Sequence, residues 1–283
     1  MSKFPTTEVG GLTLSRMIIG TNWFVGYSHT SPAKDCYIKN KVYEPDKLAD
    51  IIEVFLNSGV NSIMGILQED EVLLQAIDEA EQRTGEKVIK ITTPPINVAD
   101  NKQAKGEVKA CFDKCVETGA DICMPHHTSV EELIDKKEEK IRRIDEYTKM
   151  IRDRDMIPGL SAHMPEVIKY ADKNDNDVET YIQIYNAAGF LMQVEIEYIN
   201  KVINNAKKPV MTIKPMAAGR LSPFVGFNFV WNTIREQDMV TVGTMTPREA
   251  AEDIEISLAA LERRQANIGG RGSPNKTTIM EEE

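Results

Sequence analysis

The sequence predicts an α/β protein folded as a single (β/α)8 TIM barrel, and three observations support this. Short apolar runs alternate with amphipathic segments along the whole chain. The repeat is roughly 30 residues long and continues over about 250 residues, as a closed parallel barrel requires. Polar residues collect where the apolar runs end. A doubly wound open sheet is the alternative. We expect one barrel domain at residues 1–264 and a flexible C-terminal tail at residues 265–283.

Eight apolar runs are predicted to be the barrel strands. They lie at residues 17–20, 60–64, 88–93, 119–127, 157–163, 190–198, 210–216 and 239–244. Helices are predicted at residues 45–56, 69–84, 107–118, 129–155, 178–188, 224–234 and 246–264, with a short one opening at residue 165. The last helix has a clear start, because Thr246 is a suitable cap, Pro247 follows it, and Glu249 lies three residues after the cap.

Composition restricts the class of partner. The formal net charge is −10 and the isoelectric point is near 5.1, which disfavours nucleic acid and anionic membranes as partners. A small-molecule substrate is therefore expected. No apolar stretch approaches bilayer length and none follows the first residues, so we expect a cytoplasmic protein. The four cysteines form no Cys-x-x-Cys pair, which disfavours a cysteine metal site. The number of subunits is left open.

All four histidines lie on or just beyond predicted strand ends. They are His29, His126, His127 and His163. In a barrel, every strand delivers its last residues to the same rim, where barrel enzymes keep their chemistry. Histidine is suited both to metal ligation and to proton transfer near neutral pH. The sequence therefore predicts one polar mouth, with His29 as a rim residue that contacts substrate.

A metal site is one interpretation of this mouth. If Gln193 faces the lumen, strand periodicity places Glu195 on the same side. His126, His163 and Glu195 would then converge as two imidazoles and a carboxylate, a set that holds zinc or another divalent ion with positions left for water and substrate. His127 is the substitute ligand. The alternative is a hydrogen-bonded polar network without metal.

An anion site is the second candidate. The last helix presents backbone N–H groups near Gly243 and Thr244, with Arg248 in its first turn. Barrels of this type often bind phosphate beside their last two strands, so the substrate could be phosphorylated. Plain capping by Thr246 explains the same residues without a ligand. Lys214, at the end of the seventh strand, could serve as an electrostatic clamp or as a base.

Several segments, in the right order and spacing, resemble the aldo/keto reductase superfamily. They are Gly11 to Thr21, Gly59-Val60-Asn61, Asp121 to His126, Gly159-Leu160-Ser161, Gln193-Val194-Glu195 and Ile213 to Leu221. The resemblance implies that superfamily's barrel and an NADP(H) site. The residues that would bind NADP(H) are Ser161, Gln193, Gly219, Thr244 and Arg248.

The superfamily's reduction uses an aspartate, a tyrosine, a lysine and a histidine, and His126 matches the histidine. The aspartate position falls on Met64, the tyrosine position near Glu69 and the lysine position near Thr93. Methionine and threonine cannot supply a tuned proton donor beside a developing alkoxide. The resemblance therefore implies the fold more strongly than the reaction.

Three functional hypotheses follow. The first is a metal-assisted isomerase, lyase or hydrolase with His126, His163 and Lys214 as catalytic residues. The second is an NADP(H)-dependent oxidoreductase with an altered proton donor. The third is a ligand-binding barrel without catalysis. A serine-hydrolase elbow is disfavoured, because Ser161 lacks the second glycine of that motif.

Overall fold

A computed structural model describes residues 3–268 of the chain. Its strands are β1 (Thr6–Val9), β2 (Leu12–Ser15), β3 (Met17–Gly20), β4 (Ser62–Gly65), β5 (Ile89–Thr92), β6 (Ile122–Cys123), β7 (Ile134–Asp135), β8 (Lys140–Ile141), β9 (Ile157–Ala162), β10 (Thr180–Ile184), β11 (Val210–Ile213) and β12 (Met239–Val242). Eight of them form a closed parallel barrel in the order β3, β4, β5, β6, β9, β10, β11, β12 and back to β3. The predicted (β/α)8 barrel is confirmed.

Helices cover the outside of the barrel. They are α1 (Pro32–Val42), α2 (Pro45–Asn57), α3 (Glu71–Thr84), α4 (Lys102–Glu117), α5 (His127–Glu132), α6 (Ile144–Arg152), α7 (Glu166–Lys173), α8 (Ile196–Asn205), α9 (Pro223–Thr233) and α10 (Pro247–Glu262). Short 3-10 turns lie at Leu67–Glu69 and Ala217–Gly219. Helix α10 begins as predicted, because the Thr246 side chain accepts a hydrogen bond from the Glu249 N–H. Within the described part of the chain, no helix has the length and apolar character needed to span a membrane.

Two cores hold the barrel together. The larger lies between the strands and the surrounding helices. The smaller fills the lumen and contains four buried methionines, Met64, Met124, Met211 and Met239, among isoleucines. Strands β1 and β2 form an antiparallel ribbon that contributes Val9 and Leu14 to this lumen core. The ribbon therefore closes the amino end of the barrel, and the carboxyl end carries the polar residues.

The predicted sixth strand at residues 190–198 is wrong. The sixth barrel strand is β10, in a segment that the sequence indicated to be a helix. It pairs on one side with β9 and on the other with β11, and all five of its residues are buried. After β10 the chain turns at Asn186. The Asn186 side-chain oxygen accepts hydrogen bonds from the Ala188 and Phe190 N–H groups and so holds this turn.

Two further segments differ from the sequence-based expectation. Helix α1 lies in the connection after β3, where no element was predicted. The charged stretch at residues 135–143, expected to be part of a solvated helix, instead contains the short β7–β8 hairpin. Of the predicted C-terminal tail, residues 269–283 lie outside the described part of the chain.

Candidate functional site

The carboxyl end of the barrel gathers three histidines from two loops. His126 and His127 follow β6, and His163 follows β9. The ring centroids of His126 and His127 are 4.2 Å apart, and those of His127 and His163 are 3.6 Å apart with nearly parallel planes. The parallel barrel is responsible for this proximity, because the ends of neighbouring strands meet at one rim.

One group at this rim has the composition of a metal site. Ligand atoms of His127, Glu131 and His163 all lie within 4.8 Å of one another. His127 and Glu131 are four residues apart on α5, so they share one helix face. The Nδ1 atom of His127 is buried and has no hydrogen-bond partner within the described chain. It lies 3.7 Å from a Glu131 carboxylate oxygen, which is too far for a hydrogen bond.

Glu131 is held in place through its other oxygen. That oxygen, Oε1, accepts hydrogen bonds of 2.5 and 2.9 Å from the backbone N–H groups of His163 and Met164. Burial alone would raise the pKa of Glu131, but His127 and these two N–H donors outweigh burial and lower the pKa. The carboxylate is therefore ionised at neutral pH, with Oε2 directed toward the imidazoles. It also links the loop after β9 to α5.

The group differs from the predicted set in two of its three members. His163 belongs to it, whereas His126 and Glu195 do not. Glu195 lies just before α8 and is exposed, as is Gln193, because the segment predicted to be a strand is a turn that leads into that helix. The lumen placement on which Glu195 depended is therefore wrong. His127, the substitute ligand, takes part together with Glu131.

Burial keeps the imidazoles of His126 and His163 neutral. It is the main cause that lowers the pKa of His126 to about 4 and that of His163 to about 3, with His127 and Lys214 adding to the effect. His126 Nδ1 also lies 2.8 Å from the Thr128 hydroxyl. A neutral imidazole has a lone pair for a metal ion or for a substrate proton. Near pH 7 these side chains can therefore act as ligands or bases.

Lys214 faces the same rim from β11. Its amine Nζ lies 3.2 Å from the Nε2 atom of His29, which comes from the loop after β3. Burial lowers the pKa of Lys214 to about 8, and burial together with the Lys214 charge lowers the pKa of His29 to about 4. The predicted rim residue His29 is thus in contact with Lys214, and the Tyr27 ring lies edge-on to His29 at 5.2 Å.

The residues expected to bind NADP(H) differ in their burial and in their position on the barrel. Ser161 is buried at the end of β9, and Thr244 is buried just after β12 with no partner for its hydroxyl within the described residues. Gly219 lies in the turn after β11, close to the ring of Trp23. Gln193 is exposed on the loop described above. Ser161 and Thr244 therefore provide two buried hydroxyl groups, whereas Gln193 is exposed.

The start of α10 is crowded with carboxylates. Arg248 is exposed and forms an ion pair with Glu252 at 3.3 Å. The Glu249 carboxylate accepts a hydrogen bond from the Met245 N–H. Asp253 is buried, and burial together with Glu249 and Glu252 raises its pKa to about 8. Since like charges repel, Glu249 and Glu252 make this helix start a poor fit for the phosphates of a nucleotide cofactor, whereas Asp253, with its raised pKa, is mostly neutral at pH 7.

The positions of the superfamily's other reductive residues hold no proton donor of the same kind. Met64 is buried in the lumen core, Thr93 is buried after β5, and Glu69 is exposed in a 3-10 turn. Lys90, three residues before Thr93, has its amine beside Gly119, which lies three residues before β6. It therefore lies at the amino end, away from the histidines.

Glu131 is the site residue that the sequence analysis missed. It lies four residues after His127 in a segment predicted to begin a helix, and that spacing places two side chains on one helix face. The spacing was a usable signal. Glu131 was missed because only residues on or just beyond the predicted strands were considered as ligands.

In three dimensions the chain is similar to aldo-keto reductases. One match is a proposed aldo-keto reductase from Pseudomonas aeruginosa, with a TM-score of 0.62 and 15% identity over 91% of this chain and 94% of that one. Another is an aldo-keto reductase from Klebsiella pneumoniae in complex with NADPH, with a TM-score of 0.58 and 13% identity over 94% and 92%. The fold is that of the aldo/keto reductases.

The aldo/keto-reductase-like barrel is not specific to one reaction. A ribulose-1,5-bisphosphate carboxylase/oxygenase from Pyrococcus horikoshii is also similar, with a TM-score of 0.53 and 11% identity, over 79% of this chain and 57% of that one. No protein-family model and no curated protein matches the sequence. At these identities the likeness establishes the fold alone, so the reaction must be argued from the site.

Proposed function

We propose that the chain is an enzyme that binds a divalent cation at His127, Glu131 and His163. The cation would act on a small oxygen-containing substrate at the barrel mouth in an isomerase, lyase or hydrolase reaction. The observation that carries this proposal is the buried, unpartnered Nδ1 of His127, set beside an anchored carboxylate and a second imidazole. A buried polar atom without a partner costs about 1–3 kcal/mol, and a bound cation would remove that cost.

The donor set fits zinc and related ions. Two imidazoles and one carboxylate form a common set in catalytic zinc sites and leave a position for water or substrate. In tetrahedral geometry, ligand atoms are roughly 3.4 Å apart, so this group would need to contract slightly. His127 and His163 would also rotate out of their stacked arrangement, because parallel rings do not direct their nitrogens at one point.

The other rim residues supply proton transfer. A bound cation polarises a carbonyl or hydroxyl oxygen, or lowers the pKa of bound water. His126 and His29 are neutral near pH 7 and can accept a proton from the substrate. Lys214 lies at the same rim, with its Nζ 3.2 Å from His29 Nε2. A small substrate with a carbonyl or hydroxyl group fits this arrangement best.

Equilibrium dialysis tests the cation site. Untagged protein, stripped with chelator and dialysed against Zn²⁺, should retain about one equivalent, measured by elemental mass spectrometry. Glu131→Gln keeps an oxygen for the His163 and Met164 N–H groups but removes the charge. It should weaken Zn²⁺ binding by at least about tenfold, the lower end of losses seen even for residues that only support a metal ligand.

Glu132→Gln is the matched control, because Glu132 is the exposed neighbour of Glu131 on the same helix. It should bind Zn²⁺ like the wild-type protein. Retention of less than about a tenth of an equivalent would contradict the proposal, as would equal losses in the two variants.

An NADP(H)-linked oxidoreductase is the second candidate. The fold and the unpartnered hydroxyl of buried Thr244 favour it, while the carboxylates at the start of α10 oppose it. Titration with NADPH, followed by its fluorescence, separates the two candidates. Saturable binding that Thr244→Val weakens would support the second candidate, and absence of binding at millimolar NADPH would exclude it.

A further inference from the structure

The amine of Lys214 lies at the mouth without a counter-ion. Among residues 3–268, no carboxylate oxygen comes within 4.0 Å of its Nζ, and the hydrogen-bond contact of this atom is with His29. Several other lysines are paired with acidic side chains, as Lys208 is with Glu179 at 2.9 Å. Lys214 also has a positive φ of 61°, a backbone conformation that non-glycine residues adopt at some energetic cost. The structure therefore holds an unpaired amine in a defined place.

Burial of this amine favours its neutral form. The titratable groups of the mouth are His29 from the loop after β3, His126, His127 and Glu131 from the α5 region, and His163 from the end of β9. Burial lowers the pKa of Lys214 to about 8. At pH 7.5 about a quarter of the molecules would then carry a neutral amine, compared with about one in a thousand for an ordinary lysine. A neutral amine is a nucleophile, and desolvation is a recognised way to activate one.

We propose that Lys214 captures the carbonyl group of an aldehyde or ketone substrate as an imine, with His29 relaying the proton. This inference rests on the proposed function in one respect, namely that the mouth is a catalytic site, and it specifies the substrate as a carbonyl compound. The alternative role of Lys214, as a charged clamp for an anionic substrate, requires the protonated amine and is an outcome of the test.

The step balances without a further reactant. The Nζ lone pair forms the C–N bond, and the electron pair of the C=O bond moves to oxygen. His29 Nε2 accepts a proton from the nitrogen and returns it to the oxygen, which becomes the hydroxyl of the adduct. His29 then passes the second nitrogen proton to that hydroxyl in the same way. That hydroxyl leaves as water while the nitrogen forms the C=N bond. The imine then draws electrons from the neighbouring carbon–carbon or carbon–hydrogen bond, which is the requirement of lyases and isomerases.

Reductive trapping tests the proposal without knowledge of the natural substrate. The full chain is incubated with glycolaldehyde and sodium cyanoborohydride at pH 7.5, and peptide mass spectrometry follows the adduct at each lysine. Lys109 and Lys201, which are exposed, serve as internal references. Adduct formation at Lys214 should be faster than at the references by at least about tenfold, less than the full difference in neutral amine because a weaker base is a weaker nucleophile.

Two variants and the use of chelator-stripped protein distinguish the possible outcomes. Lys214→Arg keeps the charge and should show no fast-labelled lysine, while His29→Ala should slow labelling of Lys214 and leave Lys109 unchanged. Labelling of Lys214 no faster than the references would overturn the proposal and favour the charged clamp. The experiment is run on chelator-stripped protein, so fast labelling without Zn²⁺ binding would remove the proposed cation site and leave the imine intact.

Discussion

A buried carboxylate at the amino end of the barrel and two buried polar atoms at its carboxyl end differ in how they are partnered. At the amino end, Asp238 is completely buried, accepts a hydrogen bond from the Val210 N–H and is bound by the Arg235 guanidinium, while Arg16 donates to the Asp238 backbone oxygen. At the carboxyl end, His127 Nδ1 and the Thr244 hydroxyl have no partner within the described chain. Since unpartnered buried groups cost stability, these two atoms at the mouth are candidates for contact with a ligand.

The largest expected effect comes from the amino end. Asp238→Ala should lower the free energy of unfolding by about 3–5 kcal/mol, because it leaves the Arg235 charge and the Val210 N–H without their buried partner. Urea denaturation measures this change. Asp177→Ala is the control, since Asp177 also pairs with an arginine, at 2.7 Å, but is largely exposed. It should cost less than about 1 kcal/mol. Similar losses in both variants would show that burial of the Asp238 pair adds nothing to its contribution.

A smaller effect of opposite sign is expected at the mouth. Burial lowers the pKa of Lys214 to about 8 from 10.5, so between these pH values the unfolded chain binds a proton that the folded chain has released. Stability contributed by Lys214 therefore rises with pH across this window. Lys214→Met should be more stable than wild type at pH 7, and this advantage should shrink toward pH 10.5.

Urea denaturation of both proteins at several pH values measures that difference. Lys109→Met, which alters an exposed lysine, is the control for the general effect of removing a charge. An advantage of Lys214→Met that does not change with pH would show that Lys214 is not held as a destabilised ammonium.

The sequence carried enough information for the barrel because most of its strands are short apolar runs. In seven of the eight barrel strands the observed bounds overlap the predicted run. β10 was missed because Thr180 and Gln183 interrupt its apolar pattern, while the following segment alternates apolar and polar residues like a strand. In that segment Leu191 has a positive φ, which breaks an extended conformation. The residues of β10 form a strand because they pair with β9 on one side and with β11 on the other. Such pairing is a tertiary property that the local sequence does not reveal.

The candidate site was predictable in part. The proximity of His126, His127 and His163 follows from strand ends at one rim. The choice between His126 and His127 depends on the first turn of α5, where His126 Nδ1 lies near the Thr128 hydroxyl and His127 is left facing Glu131. Such details of rotamer and turn geometry are set by packing. The contact between Lys214 and His29, 185 residues apart, has the same origin.

The β1–β2 ribbon closes the amino end of the barrel, so the carboxyl end is left as the open end. Under the proposed function, a substrate, its product and any cation would all enter and leave past the same histidines, because the ribbon occupies the other end. A product still in place would therefore block the next substrate, and a tightly held cation would stand beside this route through every turnover. Release of product, rather than the chemical step, is the stage at which such an arrangement slows first.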